Sequence, residues 1–264
     1  MKNKIAVVVQ GGLGDNIIYD ARLQNLLDKE GVKSADFYLR RQMIWPDVLS
    51  MIIEFLEASP LIDYVYADQK PDSNLYKKVI DWTGDNSPME FPIKPNYKAP
   101  YSPNNIKWAL DILEGVKNPI TFYPYTMGSN PHNEHEKYIR SPHEDWWRGL
   151  FEWVINTGGT PILLGGPNEK VDWKVDGIVE AYSEKDDFMN NIPLLYNIKG
   201  HVGIASWPWQ LVHYYGMVDC CVIWTNNNFW IDRSVSEDDS KLYIFETVPE
   251  YQEIINKLSI LKGK

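Results

Sequence analysis

Along most of this chain, short continuous apolar runs alternate with stretches in which apolar residues recur every three or four positions. Ile5 to Val9 is such a run, five residues long and mostly β-branched, as expected of a strand buried on both faces of a parallel sheet. Gly11, Gly12 and Gly14 follow as a tight loop. A helical pattern then begins, with Ile17, Ile18, Ala21, Leu23, Leu26 and Leu27 near one face. The same alternation predicts a strand at Asp36 to Leu39, a helix at Asp47 to Ala58, a strand at Ile62 to Tyr66 and a short helix at Leu75 to Trp82.

From Gly84 to Pro103 the period is lost and five prolines occur: Pro88, Pro92, Pro95, Pro100 and Pro103. This segment predicts a linker or an extended loop. A second alternating block follows. Ile106 to Leu113 reads as a helix, Ile120 to Tyr123 as a strand, and the stretch to Ser141 as a polar loop. Pro142 opens a helix that continues over Trp146 to Asn156. Thr160 to Leu164 is a strand ending in Gly165 and Gly166. Ile204 to Tyr215 reads as a helix that tolerates Pro208. Asp219 to Trp224 and Leu242 to Phe245 are strands, and Pro249 to Leu261 a closing helix. The expected fold class is α/β, with two Rossmann-like domains facing a cleft. Their expected bounds are 1–103 and 104–248, with a final helical segment at 249–264. No short internal repeat is visible.

Composition narrows the class. At 264 residues and 44% hydrophobic, the chain has the size and character of an ordinary globular protein. No apolar run is long enough to span a bilayer, and the N-terminus does not read as a signal peptide. Cys220 and Cys221 are the only cysteines, adjacent and inside an apolar run. They predict buried thiols, not a disulfide framework, which fits a cytoplasmic setting. The net charge of −10 opposes non-specific binding to a polyanion. Arg40 with Arg41, and Lys137 with Arg140 and Arg148, are the modest basic clusters.

The first turn carries the most specific candidate chemistry. A glycine loop between a first strand and a first helix is where an open α/β sheet places its ligand. The helix N-terminus there attracts anions, whereas Asp15 would repel a phosphate. Asp15, at or beside the N-cap, is therefore either a cap for the helix or a general base at the mouth of a cleft. Gly11, Gly12 and Gly14 either form a tight turn alone or also let a substrate approach the backbone. His132, His135 and His143, with Glu134 and Glu136, are too loosely spaced to predict a metal site.

Three segments carry a resemblance. GGLGDNIIYDARLQNL resembles the N-terminal G-D motif and first helix of the heptosyltransferase-like (family 9-like) GT-B glycosyltransferases. ITFYPYTMGSN and then RSPHEDWWRGLFEWVINTGGTPILLGGPNE are similar to that family's strand, loop, basic residue, helix, strand and final G-G-P-x-E. WPWQLVHYYGMVDCCVIWTNNNFW occupies the place of a helix, a strand and a donor-phosphate loop. The resemblance implies transfer of a sugar from a nucleotide-diphosphate sugar to an acceptor hydroxyl, inverting and without a metal or other cofactor. It implies Asp15 as base, Arg140 ahead of Lys137 as the cation at the leaving diphosphate, Glu169 at the donor ribose with Gly165 and Gly166 near the nucleotide, and Thr225, Asn226, Asn227 and Asn228 at its phosphates. The alternatives are a surface charge before a helix for Arg140, an exposed helix-start residue for Glu169, and an Asn-rich turn or N-cap for Thr225 to Asn228. The sequence departs from the family in that last loop. The usual Asp-Ser/Thr-Gly and following His are replaced by Thr225-Asn226-Asn227-Asn228-Phe229. The implied acceptor is a saccharide, a small molecule or a hydroxylated nucleobase. Two other classes stay open: a non-catalytic nucleotide-sugar-binding protein of the same fold, and a dinucleotide enzyme. GGLGDN lacks the third glycine of G-x-G-x-x-G, which counts against the last.

Overall fold

A computed structural model of the chain describes residues 3–40, 46–83, 95–124, 141–166, 169–171, 173, 175–183, 188–224, 242–245 and 250–259. The chain divides into two compact units, Met1–Tyr101 and Ser102–Lys264, each with its own sheet.

The first unit contains strands β1 (Ile5–Val9), β2 (Ala35–Leu39), β3 (Ile62–Ala67) and β4 (Val79–Asp81), with helices α1 (Leu13–Glu30) and α2 (Pro46–Glu57). The strands are all parallel, in the order β3-β2-β1-β4. β1 lies inside this sheet and every one of its residues is buried, which explains its unbroken apolar run. α1 ends at Gly31, whose φ of 64° takes the left-handed cap conformation, and its N–H bonds back to Asp28. One sheet face carries a polar cluster inside aromatic packing. Asp36, almost wholly buried, accepts from Lys4 Nζ at 3.0 Å and from the Tyr76 hydroxyl at 2.6 Å. Tyr38 and Tyr76 share a hydrogen bond of 2.7 Å. These bonds let a carboxylate sit in a core without an unpaired charge.

The expected helix at Leu75 to Trp82 is not formed. Instead, Val79–Asp81 is a strand that pairs with β1, bracketed by Ala6 N–H to Lys78 C=O and Trp82 N–H to Val8 C=O. The apolar residues at four-residue spacing misled the pattern, because Leu75 and Val79 are exposed and form no buried face.

The second unit has a six-stranded parallel sheet in the order β10-β9-β8-β5-β6-β7. Its strands are β5 (Pro119–Tyr123), β6 (Thr160–Gly165), β7 (Val179–Tyr182), β8 (Gly200–Ile204), β9 (Cys221–Trp224) and β10 (Leu242–Phe245). The helices are α3 (Pro103–Leu113), α4 (Glu144–Asn156), α5 (Asn191–Leu195), α6 (Trp207–Tyr214) and α7 (Tyr251–Ser259), with a 3₁₀ turn at Phe188–Asn190. α3 packs on α5 and the 3₁₀ turn, where Asn105 Nδ2 donates to Asn190 Oδ1 at 2.8 Å. α4 buries Trp147, Leu150, Phe151 and Val154, and Phe122 of β5 meets Phe151 edge-on at 4.7 Å. α7 packs on α4 of the same unit.

Ile204 is the last residue of β8 and not the first of a helix. α6 starts three residues later, at Trp207, and Pro208 stands in its first turn, where a missing N–H costs no helical bond. β7, α5 and β8 have no counterpart in the apolar pattern. No helix among the described residues is long and apolar enough to cross a membrane.

Candidate functional site

Each sheet carries a turn of unusual construction at the C-terminal end of an internal strand, where open parallel sheets bind ligands. In the first unit this is the turn from β1 into α1. Gly12 is the N-cap, so Asp15 is the third helical residue and not the cap itself. Its Oδ2 accepts the Gly12 N–H at 2.8 Å, half of a capping box. Gly11 has a φ of +99°, and a Cβ there would stand 2.4 Å from Asp15 Oδ2. Only glycine fits beneath the carboxylate. Asn16, fully buried, steadies the turn by donating from Nδ2 to the Gly12 carbonyl at 2.9 Å. Gly14 lies within the first turn of α1.

The electrostatics of this turn favour a protonatable group. Burial pushes the Asp15 carboxyl above the ordinary carboxylate range, against the Gly12 N–H, which holds it down. Tyr19, one turn further on, is itself raised by burial and by the Asp15 charge. Beside the turn, at the ends of β2 and β4, Arg40 Nη2 and Asp81 Oδ2 pair at 2.7 Å, and the Arg40 N–H bonds to Val9 C=O. Burial raises the Asp81 carboxyl, but the Thr83 hydroxyl and N–H and the Arg40 guanidinium outweigh it and hold the group low. Two carboxylates at the C-terminal end of one sheet are thus pushed in opposite directions, Asp15 up and Asp81 down.

In the second unit the turn follows β6. Gly165 has a φ of +156°, and a Cβ there would lie 3.1 Å from Glu169 Cβ and 3.3 Å from the Tyr182 ring. Glu169 folds back over this turn. Its Oε2 accepts the Gly166 N–H at 2.8 Å and its Oε1 accepts the Tyr123 hydroxyl at 2.5 Å. Tyr182, on the other flank, accepts the Val171 N–H at 3.1 Å. Because β6 lies between β5 and β7, their terminal tyrosines close on the turn from both sides. Trp207, at the start of α6, meets Tyr123 edge-on at 5.7 Å and Phe188 at 5.0 Å, so an aromatic wall rises beside Glu169.

The sequence-derived residues thus fall into two groups. Gly11, Gly12, Gly14 and Asp15 come together in one unit, and Gly165, Gly166 and Glu169 in the other. Lys137, Arg140, Thr225, Asn226, Asn227 and Asn228 lie outside the described residues, as do His132 and His135. His143 caps α4, its Nδ1 accepting the Asp145 N–H at 3.4 Å. Among the described residues, no group of three or more His, Cys, Asp or Glu side chains is placed to hold a metal ion. Tyr123, Tyr182, Trp207 and the Arg40–Asp81 pair were not singled out from sequence. Tyr123 ends a predicted strand in one of the motifs quoted above, and that position was the available clue.

Solved structures of the same architecture are known. A glycosyl transferase family 9 protein from Veillonella parvula DSM 2008 superposes with a TM-score of 0.68 at 10% identity, over 98% of this chain and 97% of that one. E. coli ADP-heptose lps heptosyltransferase II gives 0.63 at 10% identity over 98% of both. E. coli heptosyltransferase WaaC with ADP gives 0.58 at 10% identity, over 98% of this chain and 99% of that one. The chain therefore has the α/β fold of the GT-B-type glycosyltransferases of family 9. No sequence-family model and no curated protein sequence matches it.

Proposed function

We propose that this chain is a glycosyltransferase that moves a sugar from a nucleotide-diphosphate sugar to an acceptor hydroxyl. The observation that carries the proposal is the β1–α1 turn. A glycine with φ of +99° seats a carboxylate whose proton affinity burial has raised, at the strand end where such sheets place ligands. A carboxyl near ~3.9 is a weak base, and raising it improves its match to a hydroxyl proton. Asp15 accepts the proton of the attacking hydroxyl as the acceptor oxygen bonds to the anomeric carbon. The bond from that carbon to the diphosphate breaks, and the nucleoside diphosphate leaves. A single displacement of this kind inverts the anomeric centre. Arg140 and Lys137 stabilise the leaving diphosphate, with the N–H groups of Thr225 to Asn228. No metal enters this scheme.

The donor nucleotide belongs to the second unit, with Glu169 accepting from its ribose hydroxyls beside Gly165 and Gly166. The E. coli structure with ADP makes an ADP-linked donor the first to test. Incubation with a panel of nucleotide sugars and acceptors, read as nucleoside diphosphate release, should show turnover that Asp15→Asn removes. In calorimetry, Glu169→Ala should weaken nucleotide binding by roughly 1–3 kcal/mol. A folded Glu169→Ala protein with unchanged affinity takes Glu169 out of the site. A protein that binds the nucleotide sugar but never releases its diphosphate is a non-catalytic relative.

A further inference from the structure

The hydroxyl of Tyr123 has no place in the scheme above, yet it donates directly to the Glu169 carboxylate. The ring is fully buried. A buried tyrosine needs a partner for its hydroxyl. The partner here is a carboxylate 46 positions away in sequence, at 2.5 Å. Charge-assisted bonds of this kind are short and directional.

The ring is held in place by what surrounds it. On the neighbouring strand, a Cβ on Gly203 would lie 3.2 Å from Tyr123 Cβ and 3.2 Å from its carbonyl oxygen. The tightest contact of that Cβ would be His201 Nε2 at 2.9 Å, so glycine at 203 leaves room for the His201 imidazole and for the Tyr123 backbone. The Trp207 indole closes another side, edge-on at 5.7 Å, and is itself packed against Phe188. The chain of contacts runs from Trp207 to Tyr123 to Glu169, across α6, β5 and the turn after β6.

The consequence falls on the carboxylate. A glutamate has three side-chain torsions and loses appreciable entropy when a ligand fixes it. In this structure the cost is met before any ligand arrives. Oε1 is fixed by Tyr123 and Oε2 by the Gly166 N–H. A carboxylate oxygen that already holds one donor can accept a second, and the first bond sets the direction from which it comes. Two neighbouring acceptors of fixed direction match a vicinal diol.

We propose that Tyr123 is a positioning residue that sets discrimination for a ribose diol by orienting Glu169. This rests on Glu169 as the ribose acceptor. A merely structural Tyr123 would staple the turn to β5, and its loss would weaken every nucleotide alike. A positioning Tyr123 affects only ligands that carry both hydroxyls.

The test is calorimetric titration of the whole chain. ADP, GDP, UDP and CDP are compared first, and the tightest binder is then titrated beside its 2′-deoxy and 3′-deoxy forms. The parent protein should prefer the ribonucleotide by about tenfold or more. Tyr123→Phe keeps the ring and its Trp207 contact. It should bring the preference to within about threefold while leaving the deoxynucleotide affinities where they were. In a Glu169→Ala background, Tyr123→Phe should add nothing, since the two act as one unit. Equal weakening of ribo- and deoxynucleotides by Tyr123→Phe overturns the proposal, and so does an unchanged preference. If Glu169→Ala itself leaves the preference intact, the assignment of Glu169 has failed instead. Binding of none of the four diphosphates overturns the donor site as a whole.

Discussion

Asp15 holds two positions at once. It is the third residue of α1, accepting the cap N–H, and it is a carboxylate that burial makes reluctant to ionise. The two can be separated by Asp15→Asn. The amide oxygen can still accept from Gly12, so the cap survives. The charge does not. A carboxyl whose folded pKa is raised stabilises the folded state below its ordinary range, and that contribution is lost as pH rises through the folded value. At neutral pH the ionised group is therefore a cost to folding, and Asp15→Asn should melt at the same temperature or higher. Turnover should nonetheless fall by roughly 10²–10⁴-fold, the worth of a positioned base. A variant that melts much earlier at full specific activity makes Asp15 structural only. Near-full turnover in a stable variant removes it as the base.

At the scale of elements, β8 shows why some of this fold was not legible in the sequence. β1 declared itself through five consecutive apolar residues. β8 reads Gly-His-Val-Gly-Ile and has no such run, because its neighbours use its small and polar positions. Gly203 leaves room for the His201 imidazole and the Tyr123 backbone, and His201, fully buried, pairs through Nδ1 with the Thr121 hydroxyl at 3.0 Å. These needs come from the register of β5 beside β8 and leave no trace in local periodicity. The Tyr123–Glu169 contact was hidden for the same reason, since it requires β5 and β6 to be adjacent. The glycine turns were legible because an αL-type or tight conformation restricts the residue itself. His201 also gives β8 a pH signature. Burial pushes its imidazole down to about 3 from an ordinary 6.5. The unfolded chain then binds the proton that the folded chain refuses, so stability is full above the ordinary value and is lost as pH falls toward 3. Between pH 7.5 and 5.0 this group alone should remove about 2 kcal/mol. In urea unfolding at those two pH values, His201→Gln should shrink the difference by that amount. An unchanged difference would mean that His201 can take up its proton in the folded state.

At the scale of the whole molecule, charge bears on the acceptor. The acceptor classes implied by the resemblance, a saccharide, a small molecule or a hydroxylated nucleobase, differ in the charge they bring. The chain has 36 acidic and 26 basic residues, for a net charge of −10. Duplex DNA carries one negative charge per ~1.7 Å of axis, and its binders gain most of their non-specific affinity when Lys and Arg neutralise phosphates and release condensed counterions into solution. This chain offers such a polyanion a repulsive field at distances up to the screening length, ~10 Å at 0.1 M salt. A saccharide or small acceptor escapes that penalty, because it presents few charges to the field. The expected result is that filter binding of duplex or single-stranded DNA shows no retention at 50 mM salt, and that added DNA does not inhibit turnover of a saccharide acceptor. The repulsion should also weaken with screening, so any residual DNA binding should rise with added salt or stay flat. Salt-sensitive retention, falling as salt is added, would show a local basic groove strong enough to overcome the net charge. That outcome would move the hydroxylated nucleobase to the front of the acceptor classes.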